Sequence, residues 1–308
     1  LEYNELPTPT RDNYIFLGWS MSKENIDIIN VNTVVDLTEP YTLYAIWTLN
    51  NGVDYVVTSK DGEKGVTATK PLDFTSTTLT IPGVVYTSDG TELKVFKIGI
   101  FFRDYNAPKA QIVNIGNNVY DIDTYAFNFY SNSISSFVVD SNNPYFSSEN
   151  GVLYNKDKTT IVFMPAAKTG TYKMPNTVVN RYSDKTFQYT KLSEIYFGSN
   201  FRGYGGYWTI YQAYNLKAIY VDSNNPYYSD IDGILYNKAQ TTLLKVPETT
   251  SGTVTLPRTL KSISTSAFRG CSKVTTVNIY MDKDSIKPAS WDTNWGATNA
   301  TFNWLGTE

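Results

Sequence analysis

The chain has 308 residues, 41% of them hydrophobic, with 26 basic against 29 acidic side chains and a net charge of −3. That composition supplies a core, offers no basic patch for nucleic acid and holds no apolar run long enough to cross a bilayer. Histidine is absent and cysteine occurs once, which excludes Ser-His-Asp and Cys-His triads, imidazole metal sites and any disulfide within these residues. The 25 Tyr, 15 Phe and 6 Trp suit half-buried strands and binding surfaces alike.

Taken in chain order, 1–49 reads as a small separate module. Its segments are Leu6-Pro-Thr-Pro-Thr10-Arg11, Tyr14-Ile-Phe16-Leu-Gly18-Trp19 and Leu43-Tyr-Ala-Ile-Trp47-Thr. Residues 50–109 predict a β-meander from Val53–Val57, Leu79–Ile81 and Leu93–Phe96, punctuated by Asp61-Gly62, Pro82-Gly83 and Asp89-Gly90. Such a meander would cover the open end of a stack.

Over 110–280 five strands share one pattern, an apolar residue followed at the third and fifth places by two more. They are Ala110–Ile115, Ile134–Val139, Leu192–Phe197, Leu216–Val221 and Val274–Ile279. The last two apolar positions lie two apart, so they share a strand face, and the residue between them points the other way. Val119-Tyr-Asp-Ile122-Asp-Thr-Tyr-Ala126-Phe127 returns as Leu260-Lys-Ser-Ile263-Ser-Thr-Ser-Ala267-Phe268, and Phe187 and Ile210 fill similar slots. Each of these side chains is expected to plug the core between coils.

A longer period lies over the short one. Val139–Pro165 returns 82 residues later as Val221–Pro247 with 16 of 27 residues identical. Fixed-period self-similarity signals stacked units that share a core. Inside this block, Gly151–Tyr154 and Thr160–Met164 predict a hairpin ended by Pro165, as Pro247 ends the second copy. Trp291–Trp304 falls outside the coil pattern and reads as a C-terminal cap over 281–308.

The Val-x-x-Ile-x-x-x-Ala-Phe turn, the run Ala267-Phe-Arg-Gly-Cys271-Ser-Lys-Val274 and the Asn-Asn-Pro-Tyr blocks resemble the BspA-like leucine-rich repeats of microbial surface proteins. The coils at Phe187 and Ile210 depart from that pattern by lacking Gly-Cys. The N-terminal segments resemble the internalin-type Listeria–Bacteroides repeat, a small β-grasp-like unit, without its opening strand. The expected fold is therefore mainly β: a leucine-rich-repeat-like solenoid of about five coils with hairpin insertions and β caps, preceded by a partial β-grasp-like module. Both resemblances imply an exported, extracellular or cell-surface protein whose signal and anchor lie outside these residues.

Candidate sites follow from exposure. If the coils stack in register, one column holds Asn114, Val138, Tyr196, Tyr220 and Asn278, and its neighbour holds Ile112, Ser136, Glu194, Ala218 and Thr276. Tyr196 and Tyr220, with Glu194 beside them, could stack on a sugar or anchor a protein. The same column also reads as a solubilising tyrosine ladder. The loop 201–214, with Tyr204, Tyr207 and Trp208 among three glycines, could form an aromatic platform or a degenerate coil in which Ile210 and Ala213 are core. Cys271 has no histidine to activate it and reads as a small buried hydrophobe. Asp140 and Asp222 could supply calcium ligands, but Asp-x-Asn-Asn-Pro first suggests a side-chain-to-backbone turn. Asp282 and Asp284 could pair as in a glycosidase, although nothing in the sequence sets their separation.

The reading is a non-enzymatic adhesion protein that uses no cofactor or metal and does not insert into a membrane. Its expected partner is an extracellular protein or glycan on host matrix, mucin or another microbe, and the protein is expected to be a monomer. A structural spacer projecting other domains is the alternative, and a polysaccharide-active enzyme the third.

Overall fold

Turn chemistry starts the fold. Asp61 and Gly62 both hold positive φ, 51° and 84°, the backbone that a two-residue type I′ turn requires. They join Val53–Lys60 to Glu63–Pro71 as an antiparallel hairpin. The computed structural model describes residues 6–24, 26–29, 40, 42–100, 109–127, 133–283 and 285–306. Two compact units form, Leu1–Ser133 with Phe137–Phe146, and Ile134–Ser136 with Ser147–Glu308. Among the described residues there is no α-helix, and apart from two 3-10 turns every regular element is a strand.

In the first unit, Tyr14–Ser20 pairs antiparallel with Tyr44–Leu49. Phe16 meets Trp19 and Trp47 edge-on at 5.6 and 5.3 Å, and Ile15, Leu17, Ile46 and Trp47 are the buried side chains of this pair. The 53–71 hairpin continues into Glu92–Ile98, which runs parallel to Glu63–Pro71 and antiparallel to Val84–Tyr86. Leu79–Ile81 does not belong to this sheet, contrary to the meander expected from sequence. Thr78–Ile81 instead pairs parallel with Ile112–Ile115, and Leu79 and Ile81 are buried with Val113 and Ile115. It is a coil strand in its own right. The sequence hid it because the leading apolar residue of the coil pattern is absent.

Strands form three ladders of three, the second and third of them parallel throughout. The first is Thr78–Ile81, Ile112–Ile115 and Ser136–Val139. The second is Thr169–Lys173, Lys191–Phe197 and Ala218–Val221. The third is Ser251–Thr255, Lys273–Ile279 and Thr301–Trp304. All five strands read from sequence are present. Within the C-terminal aromatic segment, Thr301–Trp304 continues the third ladder, and Phe302 packs on Phe268 and Trp295 at 6.3 and 5.6 Å. Each ladder opens with the same short signature, Thr-apolar-x-apolar-Pro, at Thr78–Pro82, Thr171–Pro175 and Thr253–Pro257.

A hairpin insertion follows each of the first two ladders. Val152–Asn155 pairs antiparallel with Thr160–Phe163, and Tyr228–Ile231, Ile234–Asn237 and Thr242–Lys245 form the matching meander. At the turn, the Ile219 amide donates to the Gly233 carbonyl at 2.9 Å. A Cβ on Gly233 would lie 2.5 Å from the Ala218 Cβ, and its φ is 78°. Glycine thus lets the hairpin turn close over the last strand of the second ladder, so that edge no longer pairs with the next coil.

Buried side chains carry the stacking. Phe127, Phe187, Phe268 and Ile210 are all buried, as their shared slot predicts, and Ala213 is buried too. The Asn-Asn-Pro-Tyr block adds a buried amide. The Asn143 amide donates to the Gly116 and Val119 carbonyls at 2.8 and 2.9 Å, and its carbonyl accepts the Tyr145 and Phe146 amides, both at 2.8 Å. Asn225 repeats all four bonds on Gly198, Phe201, Tyr227 and Tyr228. The preceding aspartates work locally: Asp140 and Asp222 each accept the amide two residues on, at 2.9 Å. Their carboxylates therefore act in turns, as the side-chain-to-backbone reading of Asp-x-Asn-Asn-Pro has it.

Candidate functional site

The second ladder carries the aromatic column. Pairing places Lys173 beside Tyr196 and Tyr196 beside Tyr220. Ile195, Phe197 and Ile219 point into the core, so by strand alternation Tyr196 and Tyr220 stand on the outer face, half-buried. Their rings lie 4.7 Å apart at 36°. The Lys173 ammonium sits 5.5 Å from the Tyr196 ring centre, within cation–π range. In the neighbouring column Glu194 accepts a hydrogen bond from the Thr171 hydroxyl at 2.8 Å. Partial desolvation first, and then the Glu194 charge, raise the Tyr196 hydroxyl above the ordinary tyrosine range. It stays a neutral donor at any physiological pH. A cleft of about 400 Å³ bounded by Lys168, Tyr172 and Lys173 opens at the margin of this ladder.

Asn114 and Asn278 do not extend the tyrosine column. Asn114 donates to Thr80 at 3.1 Å in the first ladder. In the third, Asn278 donates to Thr255 and accepts from Asn303, both at 3.1 Å. Val138 is exposed. The single five-membered column expected from sequence is three short columns of different chemistry.

The 201–214 loop divides in the same way. Phe201, Thr209, Ile210 and Ala213 are buried. Tyr204 turns inward: its amide donates to the Tyr228 hydroxyl at 3.2 Å and its own hydroxyl donates to the Leu244 carbonyl at 3.3 Å. Burial, and next the neighbouring Tyr228, push its hydroxyl well above the usual range. Tyr204 is thus a packing residue rather than part of an exposed platform, because the loop curls over the second core. The Arg181 guanidinium bonds the Gly203 carbonyl and pairs with Asp184 at 2.6 Å, which ties the start of the loop down. The Tyr207 side chain lies outside the described residues. Trp208 is 43% exposed and meets Tyr211 edge-on at 5.3 Å. Tyr214 is 63% exposed and accepts a hydrogen bond from Gln212, and Arg269 stacks over Tyr211 at 5.2 Å.

Sequence reasoning missed Lys173, Tyr211, Tyr214 and Arg269 as surface partners. For Lys173 a signal was available, since Tyr172-Lys-Met174-Pro175 matches Val254-Thr-Leu256-Pro257 at the 82-residue offset. Arg269 had none, because only folding brings it to Tyr211.

Cys271 is buried, and its thiol donates weakly to the Val246 and Pro247 carbonyls, both at 3.4 Å. Burial pushes it up to about 12, which makes it inert as a nucleophile at neutral pH. Nearby Lys245 and Glu248 are buried 3.9 Å apart, and the Lys245 ammonium reaches the Arg269 carbonyl at 2.8 Å. Desolvation pulls Lys245 down and Glu248 up, each opposed by the charge of the other. Of the paired carboxylates suggested for glycosidase chemistry, Asp284 lies outside the described residues. No group of three potential metal ligands occurs among the described residues.

This chain belongs to the BspA type leucine rich repeat family, whose model matches six copies over 105–231 and 248–303. The N-terminal hairpin lies outside that match. No curated protein sequence matches the chain significantly. Among solved structures, the pneumococcal vaccine antigen PcpA is similar at 12% identity over 83% of this chain and 69% of its own, with a TM-score of 0.52. A leucine rich cell surface protein from Faecalibacterium prausnitzii matches at 16% identity, over 88% of this chain and 96% of its own, with a TM-score of 0.41. A leucine-rich repeat protein from Eubacterium ventriosum matches at 15% identity over 83% and 72%, with a TM-score of 0.43. No helix among the described residues is long and apolar enough to cross a membrane.

Proposed function

We propose that this chain is a non-enzymatic adhesion protein of the bacterial cell surface that binds an extracellular protein or glycan on the outer face of the second ladder. The observation that carries this reading is the stacked Tyr196–Tyr220 pair flanked by Lys173. Two closely packed rings, tilted by 36°, and a cation form an apolar, polar-tipped patch, the composition of binding hot spots. Trp208, Tyr211 and Tyr214 offer a second aromatic surface in the same unit. In this reading residues 1–49 are a separate module with no part in binding. The test is a screen of the purified protein against glycans, matrix proteins and mucins. A saturable ligand that Tyr196→Ala/Tyr220→Ala abolishes supports the site. A ligand lost only with Trp208→Ala/Tyr214→Ala moves binding to the loop.

A spacer role is the second reading, and the third ladder favours it. Its Thr255, Asn278 and Asn303 side chains bond one another along the ladder, as in a surface built to be inert. Absence of any ligand across the screen would select it.

A further inference from the structure

The first unit contains a cleft of about 410 Å³ that the aromatic ladder does not touch. Its floor is the buried Phe96 ring, and Asn117, Asn118 and Asn142 reach it from two successive coil turns. One wall is the end of the 53–71 hairpin. There the Lys60 ammonium lies 4.0 Å from the Tyr120 ring centre and 5.2 Å from that of Tyr145, and donates to the Tyr145 hydroxyl at 3.2 Å. Lys94, on the same cleft, is paired with Glu63 at 2.7 Å. Lys60 makes no ion pair with a carboxylate among the described residues; it rests on the Tyr120 and Tyr145 rings, with the Asp61 carboxylate next to it on the rim of the cleft. Gly83 makes room for one of the amides, since a Cβ there would come within 1.8 Å of Asn117 Oδ1.

The repeat supplies an internal control. At the 82-residue offset Asn142 and Tyr145 return as Asn224 and Tyr227, but Asn117 becomes Ser199 and Tyr120 becomes Arg202. The wall that carries Lys60 precedes the repeats and has no second copy. Of these two copies, the first therefore has the cation, the extra amide and the second aromatic ring.

We infer that this cleft binds a single sugar residue bearing a carboxylate, of the uronate or sialic acid class. Side-chain amides carry a donor and an acceptor on one plane and so match adjacent sugar hydroxyls. The exposed Tyr145 ring matches the C–H face of a pyranose, and the Lys60 ammonium meets the carboxylate. A volume of this size, part apolar with a few converging polar groups, is typical of small-ligand sites. This inference does not rest on the tyrosine ladder.

The experiment is a calorimetric and saturation-transfer NMR titration of the whole chain with glucuronic, galacturonic and N-acetylneuraminic acids, against glucose and galactose as neutral counterparts. We expect saturable binding of at least one acid and at least tenfold weaker binding of the neutral sugars. Lys60→Gln and Asn142→Ala should each weaken it at least tenfold, with circular dichroism unchanged. Asn224→Ala, Tyr227→Ala and Tyr196→Ala/Tyr220→Ala should leave it as in wild type. The idea is overturned by the absence of saturable binding to any of the acids. It is equally overturned by neutral sugars binding as well, or by binding that survives Lys60→Gln.

Discussion

The two copies of the 82-residue unit share a skeleton and differ on their surfaces. Phe187 and Phe268 are both buried, Asn143 and Asn225 make the same four bonds, and the hairpins pair in the same register. Yet where the first copy shows Lys173, Tyr196 and Tyr220, the second shows Thr255, Asn278 and Asn303. A cation on stacked rings offers its face to a partner, whereas amides and hydroxyls that bond one another are already satisfied. The interior differs too. Phe163 and Ala166 of the first copy stand where the second has the buried Lys245 and Glu248.

The largest effects should test what is shared. Phe187→Ala and Phe268→Ala each remove a fully buried ring and should each cost about 3–5 kcal/mol in urea unfolding. A loss confined to one copy would break the equivalence. Lys245→Ala leaves Glu248 buried without its partner and should cost about 3–5 kcal/mol, whereas Lys245→Phe/Glu248→Ala, which installs the residues of the first copy, should match wild type or exceed it by about 1–4 kcal/mol. Thermal and urea unfolding of both variants decide this. Asn225→Ala strands two buried carbonyls and two amides. At about 1–3 kcal/mol per group left unsatisfied, with some reached by water, a loss near 3 kcal/mol is expected, and Asn143→Ala should behave alike.

Surface changes should separate the copies. Tyr196→Ala/Tyr220→Ala should weaken any ligand of the second ladder at least tenfold with little change in melting temperature, and Asn278→Ala should do neither. The last test is pH dependence, which leaves stability near neutral pH unchanged. Burial raises Cys271, Tyr154 and Tyr55 each to about 12 in the folded chain. For a group whose folded pKa lies above its unfolded one, the stabilising contribution is complete below the unfolded value and is lost on rising through the folded value. Stability should thus hold to about pH 9 and fall between there and about 12. Below that window Cys271 should react with iodoacetamide only as fast as the chain unfolds.

Much of the fold is legible in the sequence because its signals are local and repeated. The period-two apolar pairs gave five coil strands, and the paired Asn-Asn-Pro-Tyr blocks gave the hairpins. Thr78–Ile81, Thr169–Lys173, Ser251–Thr255 and Thr301–Trp304 escaped, since each lacks the leading apolar residue and takes its strand form from the neighbour it pairs with. Of the site, Tyr196 and Tyr220 could be placed side by side from register alone. Tyr204 could not be sorted from Trp208, because composition marks an aromatic loop without saying which ring faces the core.

What the sequence determined by itself was the class: a β solenoid of stacked repeats without histidine chemistry, with plugs at Phe127, Phe187 and Phe268. Periodicity suffices there, since a residue's face in a strand follows from its position in the alternation. Tertiary structure alone decided where the ladders end, which aromatics are exposed, and that Lys60 sits on Tyr120 and Tyr145 from far along the chain. Those outcomes depend on a hairpin turn closing over a strand edge and on side chains brought together only by folding, and neither leaves a period in the sequence.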